Sequence, residues 1–203
     1  MSVYTAENIR DGIFSLNTRR FGTVAENLIK ILANASWGKV ISHDLYDETA
    51  LKRIEVKFSR ALRSSEDTIK EANILDQIVQ SDDKTRMFRS KEWERYEFDC
   101  NIQQIKRAEF DILFYGIFFS DKVMVFKIKS NQIGEAIQYS DKQHKGNEGE
   151  GQFHLNNRTY KYHIENYYET ELTYKDILKL LTKLQDSDSM KGKIIKGILL
   201  LIF

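Results

Sequence analysis

Residues 110–119 read FDILFYGIFF, and two residues later 122–128 read KVMVFKI. Near-continuous apolar runs of this kind fit central strands buried on both faces of a sheet. Such strands need cover on both sides, so they constrain the fold more than any other feature of the chain. A third stretch, KRIEVKFSR at 52–60, behaves differently. Its apolar residues alternate (Ile54, Val56, Phe58) with Glu55, Lys57 and Ser59, which is the period of a half-buried strand.

The remaining segments supply the cover. Residues 21–35 place Val24, Leu28, Ile31 and Leu32 on one helical face, with Gly22-Thr23 as a cap. Residues 39–47 and 50–62 read as two strands joined by an acidic turn around Asp47, Glu48 and Thr49. Residues 64–80 begin with serines and acids and continue with helical periodicity, as a capped helix does. The polar stretch 81–97 reads as a loop or mobile excursion, with Trp93 and Tyr96 as packing residues. A glycine-rich polar loop leads to an expected hairpin at Asn156-Asn157, and an amphipathic helix over 173–184 closes the body. The order predicts an α/β fold, a mixed β-sheet flanked by helices, in a single domain spanning 1–203.

Composition narrows the function only slightly. Charges nearly cancel, 31 basic against 30 acidic, so bulk charge selects neither a nucleic-acid binder nor an enzyme of acidic substrates. A protein that grips phosphates and also holds metal with carboxylates can come out neutral. Cys100 is the one cysteine, which rules out an intramolecular disulfide and predicts a reducing, cytoplasmic setting. The N-terminus lacks the pattern of a signal peptide. The apolar C-terminal run 193–203 is much shorter than the ~20 residues that cross a bilayer, so it reads as a buried element or subunit contact, and no membrane partner is expected.

The chemistry concentrates around the alternating strand. Asp44 lies in or just after the strand preceding it, and a hairpin brings Asp44 and Glu55 to one side. Two adjacent carboxylates repel unless a cation intervenes, and hard oxygen ligands suit Mg²⁺. Lys57 shares the face of Glu55, where an ammonium can orient an attacking water while the metal stabilises charge on phosphorus. The carbonyl of Val56 is a further candidate ligand. An isolated Glu-x-Lys on a strand is ordinarily a solvated face. What distinguishes this one is the set of Gly22-x-x-x-Glu26 on a helix, then Asp44, then Glu55-x-Lys57 followed by Phe58-Ser59.

On those residues, the segment from Gly22 to Ser59 resembles the core of the PD-(D/E)xK nuclease superfamily, the fold of many type II restriction endonucleases. The resemblance implies a restriction-endonuclease-like core over about 20–130. Asp44 takes the place of the first acid, Glu55 the second, Lys57 the lysine and Glu26 the accessory helical glutamate. His43 stands where the motif has proline, and Asp47 competes with Asp44 for the first acid. Gln103 or Gln104 falls where related nucleases often carry a glutamine beside the catalytic strand.

A nuclease must also choose where to cut. Residues 140–161 are rich in side chains that address base edges: Gln143, His144, Lys145, Asn147, Gln152, His154, Asn156, Asn157 and Arg158. Recognition elements are therefore expected at about 131–170, with Arg60, Arg19, Arg20 and Arg63 as phosphate clamps. The histidine spacing fits no zinc pattern. The resulting expectation is a Mg²⁺-dependent type II endonuclease acting on double-stranded DNA, a homodimer on a palindromic site. The alternatives are a repair or junction-resolving nuclease of the same fold and a non-catalytic DNA-binding module.

Overall fold

A computed structural model describes residues 4–40, 42–64, 68–80, 82–142 and 149–186. The expectations for 143–148 and 193–203 lie outside them. The chain opens with helix α1 (Ala6–Ser15), where Thr5 accepts from the N–H of Asn8. Helix α2 (Thr18–Leu32) follows, with Asn17 accepting from the N–H of Arg20. These side chains satisfy N–H groups that a first turn leaves without intrahelical partners. Gly22-Thr23, expected as the cap, lies inside α2. The buried face is Phe21, Ala25, Leu28 and Ile29, and Leu32 is exposed.

Strands β1 (Ser36–Trp37), β2 (Leu45–Asp47) and β3 (Lys52–Arg60) come next, then a 3₁₀ turn and helix α3 (Ile74–Gln80). Ser64 is therefore not its cap, and Ser65 lies outside the described residues. Helix α4 (Asp83–Arg86) is a single turn within the polar stretch, which is pinned by Phe88. That ring is buried and packs at 5.4 and 5.5 Å from those of Phe98 and Phe119. Strands β4 (Asp99–Ile105), β5 (Ile112–Phe118), β6 (Lys122–Lys129) and β7 (Gly151–Asn156) lead to helix α5 (Tyr160–Tyr167) and strand β8 (Tyr168–Thr173). Helix α6 (174–186) starts at a capping box in which Thr173 and Asp176 bond each other's backbone N–H groups. No hairpin forms at Asn156-Asn157. There the chain turns into α5, and β7 pairs backwards with β4.

The protein is mixed α/β. Its main sheet has six strands in the order β1-β2-β3-β5-β6-β8, and β4-β7 forms a separate two-stranded ribbon. Within the main sheet β3 and β5 run parallel and the other neighbours antiparallel. Strand β5 feeds both cores. Phe114 and Phe118 join Phe21, Leu28, Leu45, Ile54 and Ile177 on the side of α1, α2 and α6. Leu113, Tyr115 and Ile117 join Ile102, Phe153 and Tyr160 beneath the ribbon and α5. Helices α1, α2 and α6 flank one face, while the ribbon and α5 lie on the other. Fully buried His163 sits in this second core, its Nδ1 2.7 Å from the Tyr115 hydroxyl, and burial pushes its pKa down to about 4, so the ring is neutral at neutral pH.

Gly116 fixes how closely β3 and β6 approach β5. A Cβ there would overlap both the Met124 carbonyl and the ring of Phe58, whose strand carries Glu55 and Lys57. Gly116→Ala should destabilise the protein by about 3 kcal/mol through overpacking, read as a lowered denaturation midpoint. An unchanged midpoint would show that β3 can shift freely.

Candidate active site at the open edge of strand β3

The antiparallel pairing of β2 with β3 runs only from Asp47↔Lys52 to Leu45↔Ile54. Beyond it the outer edge of β3 loses its strand neighbour. The chain bends at Asp44, whose own carbonyl accepts from the N–H of Gly38 at 2.9 Å. Its side chain then takes over from the missing strand, with Oδ2 accepting from the N–H of Val56 at 2.9 Å. A Cβ on Gly38 would strike the His43 carbonyl, so only glycine lets the bend sit this close. Gly38 is a residue that sequence reasoning missed. A lone glycine ahead of a strand was its one visible sign.

Alternation sends Ile54 and Val56 into the helix-side core and leaves Glu55 and Lys57 on the opposite face. Lys57 Nζ donates to Glu55 Oε1 and lies 3.8 Å from Asp44 Oδ2. The expected trio of Asp44, Glu55 and Lys57 thus meets at one point. Glu26, from α2, lines the adjoining cleft and interacts electrostatically with Asp44 and Lys57. Asp47 is elsewhere: its Oδ1 accepts from the N–H groups of Thr49 and Ala50, both at 2.9 Å, and shapes the β2–β3 turn. The geometry separates these two aspartates, which the sequence left as rivals.

Electrostatics follow from burial. The Glu55 side chain is 12% exposed, and desolvation lifts its pKa to about 7 against the opposing pull of Lys57, with Asp44 adding to the rise. Glu26 is raised too, first by burial and then by Asp44. Burial lowers Lys57, but Glu55 and Asp44 outweigh it, so the ammonium ends above its ordinary value. Among the described residues, no three acidic, imidazole or thiol side chains gather closely enough to hold a metal alone. Two carboxylates flanking a buried cation still suit a hard dication that keeps waters and takes substrate oxygens. A desolvated carboxylate with raised proton affinity is one that such a cation would stabilise.

The cleft beside the trio measures about 580 Å³. The first turns of α2, the edge of β3 and the residues 101–104 of β4 form its walls, and Arg19 stands at its rim. The recognition candidates divide. Gln152 and His154 alternate with buried neighbours and so share the outer face of the ribbon. Gln152 accepts from the side chain of Asn101, a cleft residue, at 3.0 Å, and His154 lies 2.9 Å from Asp99. Asn156 and Asn157 build local structure. The first accepts from the N–H groups of Arg158 and Thr159, and the second donates to the carbonyls of Trp93 and Tyr96. Arg158 is exposed. Arg60 donates to the carbonyls of Phe14 and Leu16 at 2.6 and 2.9 Å, which ties β3 to the end of α1. Arg63 is engaged with the carbonyl of Thr85. Gln143, His144, Lys145 and Asn147 fall outside the described residues.

No protein-family model, curated protein or solved structure matches the chain.

A proton on Glu55 competes with any cation the pair binds. With its pKa near 7, the ionised fraction drops about tenfold between pH 8 and pH 6. Calorimetric titration with Mg²⁺ or Mn²⁺ should show about tenfold weaker binding at pH 6. Affinity that stays flat across that window would exclude Glu55 as a ligand.

Proposed function

We propose that the protein is a metal-dependent endodeoxyribonuclease with a restriction-endonuclease-like core, acting on double-stranded DNA as a type II site-specific enzyme. One observation carries this reading: Asp44, Glu55 and Lys57 converge on one point at the open edge of β3, beside a cleft that Glu26 also lines. Asp44 caps the Val56 N–H, but nothing in the folding of the sheet requires Glu55 and Lys57 to be desolvated beside it. Buried ion pairs contribute little net stability, because desolvation offsets the Coulomb attraction.

Asp44 and Glu55 would hold Mg²⁺, with the Val56 carbonyl as a further ligand. The ion supplies Lewis-acid stabilisation of charge on the scissile phosphate. Lys57 is an ammonium and cannot accept a proton, so it orients the attacking water and donates to a phosphate oxygen. Glu26, with its raised proton affinity, is the carboxylate suited to take the proton that water loses. The water oxygen bonds to phosphorus as the bond to the 3′ oxygen breaks, and that oxygen takes a proton from solvent, leaving a 5′-phosphate and a 3′-hydroxyl. Arg19 and the outer face of the β4–β7 ribbon offer contacts to backbone and bases on either side. A symmetric dimer would place two such sites on a palindrome. The solvent-facing Leu75 and Val79 of α3, 74% and 76% exposed, favour association with a second copy.

Incubation of supercoiled plasmid with the protein and Mg²⁺ should yield discrete fragments. Asp44→Ala and Lys57→Ala should each slow cutting by roughly a hundredfold or more, while Asp47→Ala keeps activity. Equal cutting by the Lys57 variant would remove the assignment.

A further inference from the structure

The wall of the cleft facing Lys57 contains an irregularity that its own strand does not need. Along the ribbon Ile102 pairs with Phe153 and Ile105 with Gly151. Two residues of β4, Gln103 and Gln104, thus stand against the single Gln152 of β7. One residue has been inserted, which is a β-bulge. Its consequence is specific. Consecutive strand residues ordinarily face opposite ways, yet Gln103 and Gln104 are both exposed and both line the cleft, while Ile102 and Ile105 on either side stay buried.

The bulge is held in place. Gln104 adopts φ +61°, a left-handed conformation that costs a residue with a long side chain and would suit glycine. Tyr139 donates its hydroxyl to the carbonyl of Ile105 at 3.2 Å and packs so closely on Gly151 that no Cβ would fit. Arg107 stacks over the Tyr139 ring at 4.6 Å. A strained backbone that surrounding contacts enforce, where a relaxed glycine would serve the fold, points to a use for the side chain.

We propose that this bulge is the substrate-reading wall of the cleft, with Gln103 and Gln104 contacting the nucleotide beside the scissile phosphate. Each amide offers a donor and an acceptor in one plane, which matches the N6 and N7 edge of adenine. The amides carry no charge and cannot replace the acids or Lys57. They are specificity-determining and positioning residues, and the inference rests on the hydrolytic reading of the same cleft.

Gln104→Gly separates fold from function, because it relaxes the backbone while removing the amide. The wild type, Gln104→Gly, Gln104→Asn, Gln103→Ala and Lys57→Ala would be compared on supercoiled plasmid with Mg²⁺. Thermal melts would be run in parallel and the cut ends sequenced. Gln104→Gly should melt at or above the wild type, cut about tenfold or more slowly, and lose the base preference at a position flanking the cut. Gln104→Asn, which keeps an amide and tolerates the left-handed region, should retain part of that preference. If Lys57-dependent cutting is present but Gln104→Gly and Gln103→Ala cut at the wild-type rate with unchanged ends, the bulge is only structural and the proposal is overturned. If there is no Lys57-dependent cutting at all, the hydrolytic reading fails and this inference falls with it.

Discussion

The hydrogen bond from the N–H of Val56 to the carboxylate of Asp44 decides the rest of the site. Strand β2 has three residues, so it cannot cover the full edge of β3. Had it run two residues further, the Val56 N–H would belong to a strand ladder and Asp44 would alternate with its neighbours. Instead the strand ends, the edge opens, and a side chain stands in for the missing backbone acceptor. That substitution draws a negative charge to within 3.8 Å of the Lys57 ammonium, with Glu55 already on it. Backbone N–H groups rarely go unpaired when buried, so Asp44 is anchored there by the same rule that builds the sheet.

The two faces of the sheet then divide the work. Ile54, Val56 and Phe114 pack in the core that the helices cover and so anchor β3. The polar residues of β3 emerge on the opposite side near the ribbon, where the cleft forms. Arg60 fastens the far end of the strand to α1, and Gly116 sets its spacing from β5. Catalytic constellations need support of this sort, since small displacements of a reacting group are costly. Asn101, Gln103 and Gln104 supply amides to the cleft, and Arg19 and Arg60 supply its guanidinium groups.

Much of this was legible in the sequence because it rests on short-range patterns. The near-continuous apolar run at 110–119 announced a strand buried on both faces, and Ile54, Val56 and Phe58 announced the alternation that puts Glu55 and Lys57 together. What stayed hidden depended on where pairing stops. Asp44 and Asp47 have the same chemistry and sit three residues apart. Only the end of β2 at Leu45 sends one to the site and the other into a turn. Helix α2 starts ahead of Gly22-Thr23 because its cap, Asn17, stands seven residues before Val24, where the apolar stripe begins. Asn156-Asn157 has the composition of a hairpin turn, yet β7 found its partner fifty residues back in β4, a long-range pairing no local signal records. Arg60 lines the cleft as its charge suggests, and it also has a structural task that no local signal records, donating to the carbonyls of Phe14 and Leu16 at the end of α1.

The convergence of the trio on a shared cation is the central claim, and anomalous scattering from crystals grown with Mn²⁺ tests it most directly. The account predicts a peak bonded to both Asp44 and Glu55, with the Lys57 ammonium withdrawn from Glu55 toward the cleft. Undisturbed contact between Lys57 and Glu55, with no metal peak at saturating Mn²⁺ above pH 7.5, would contradict it.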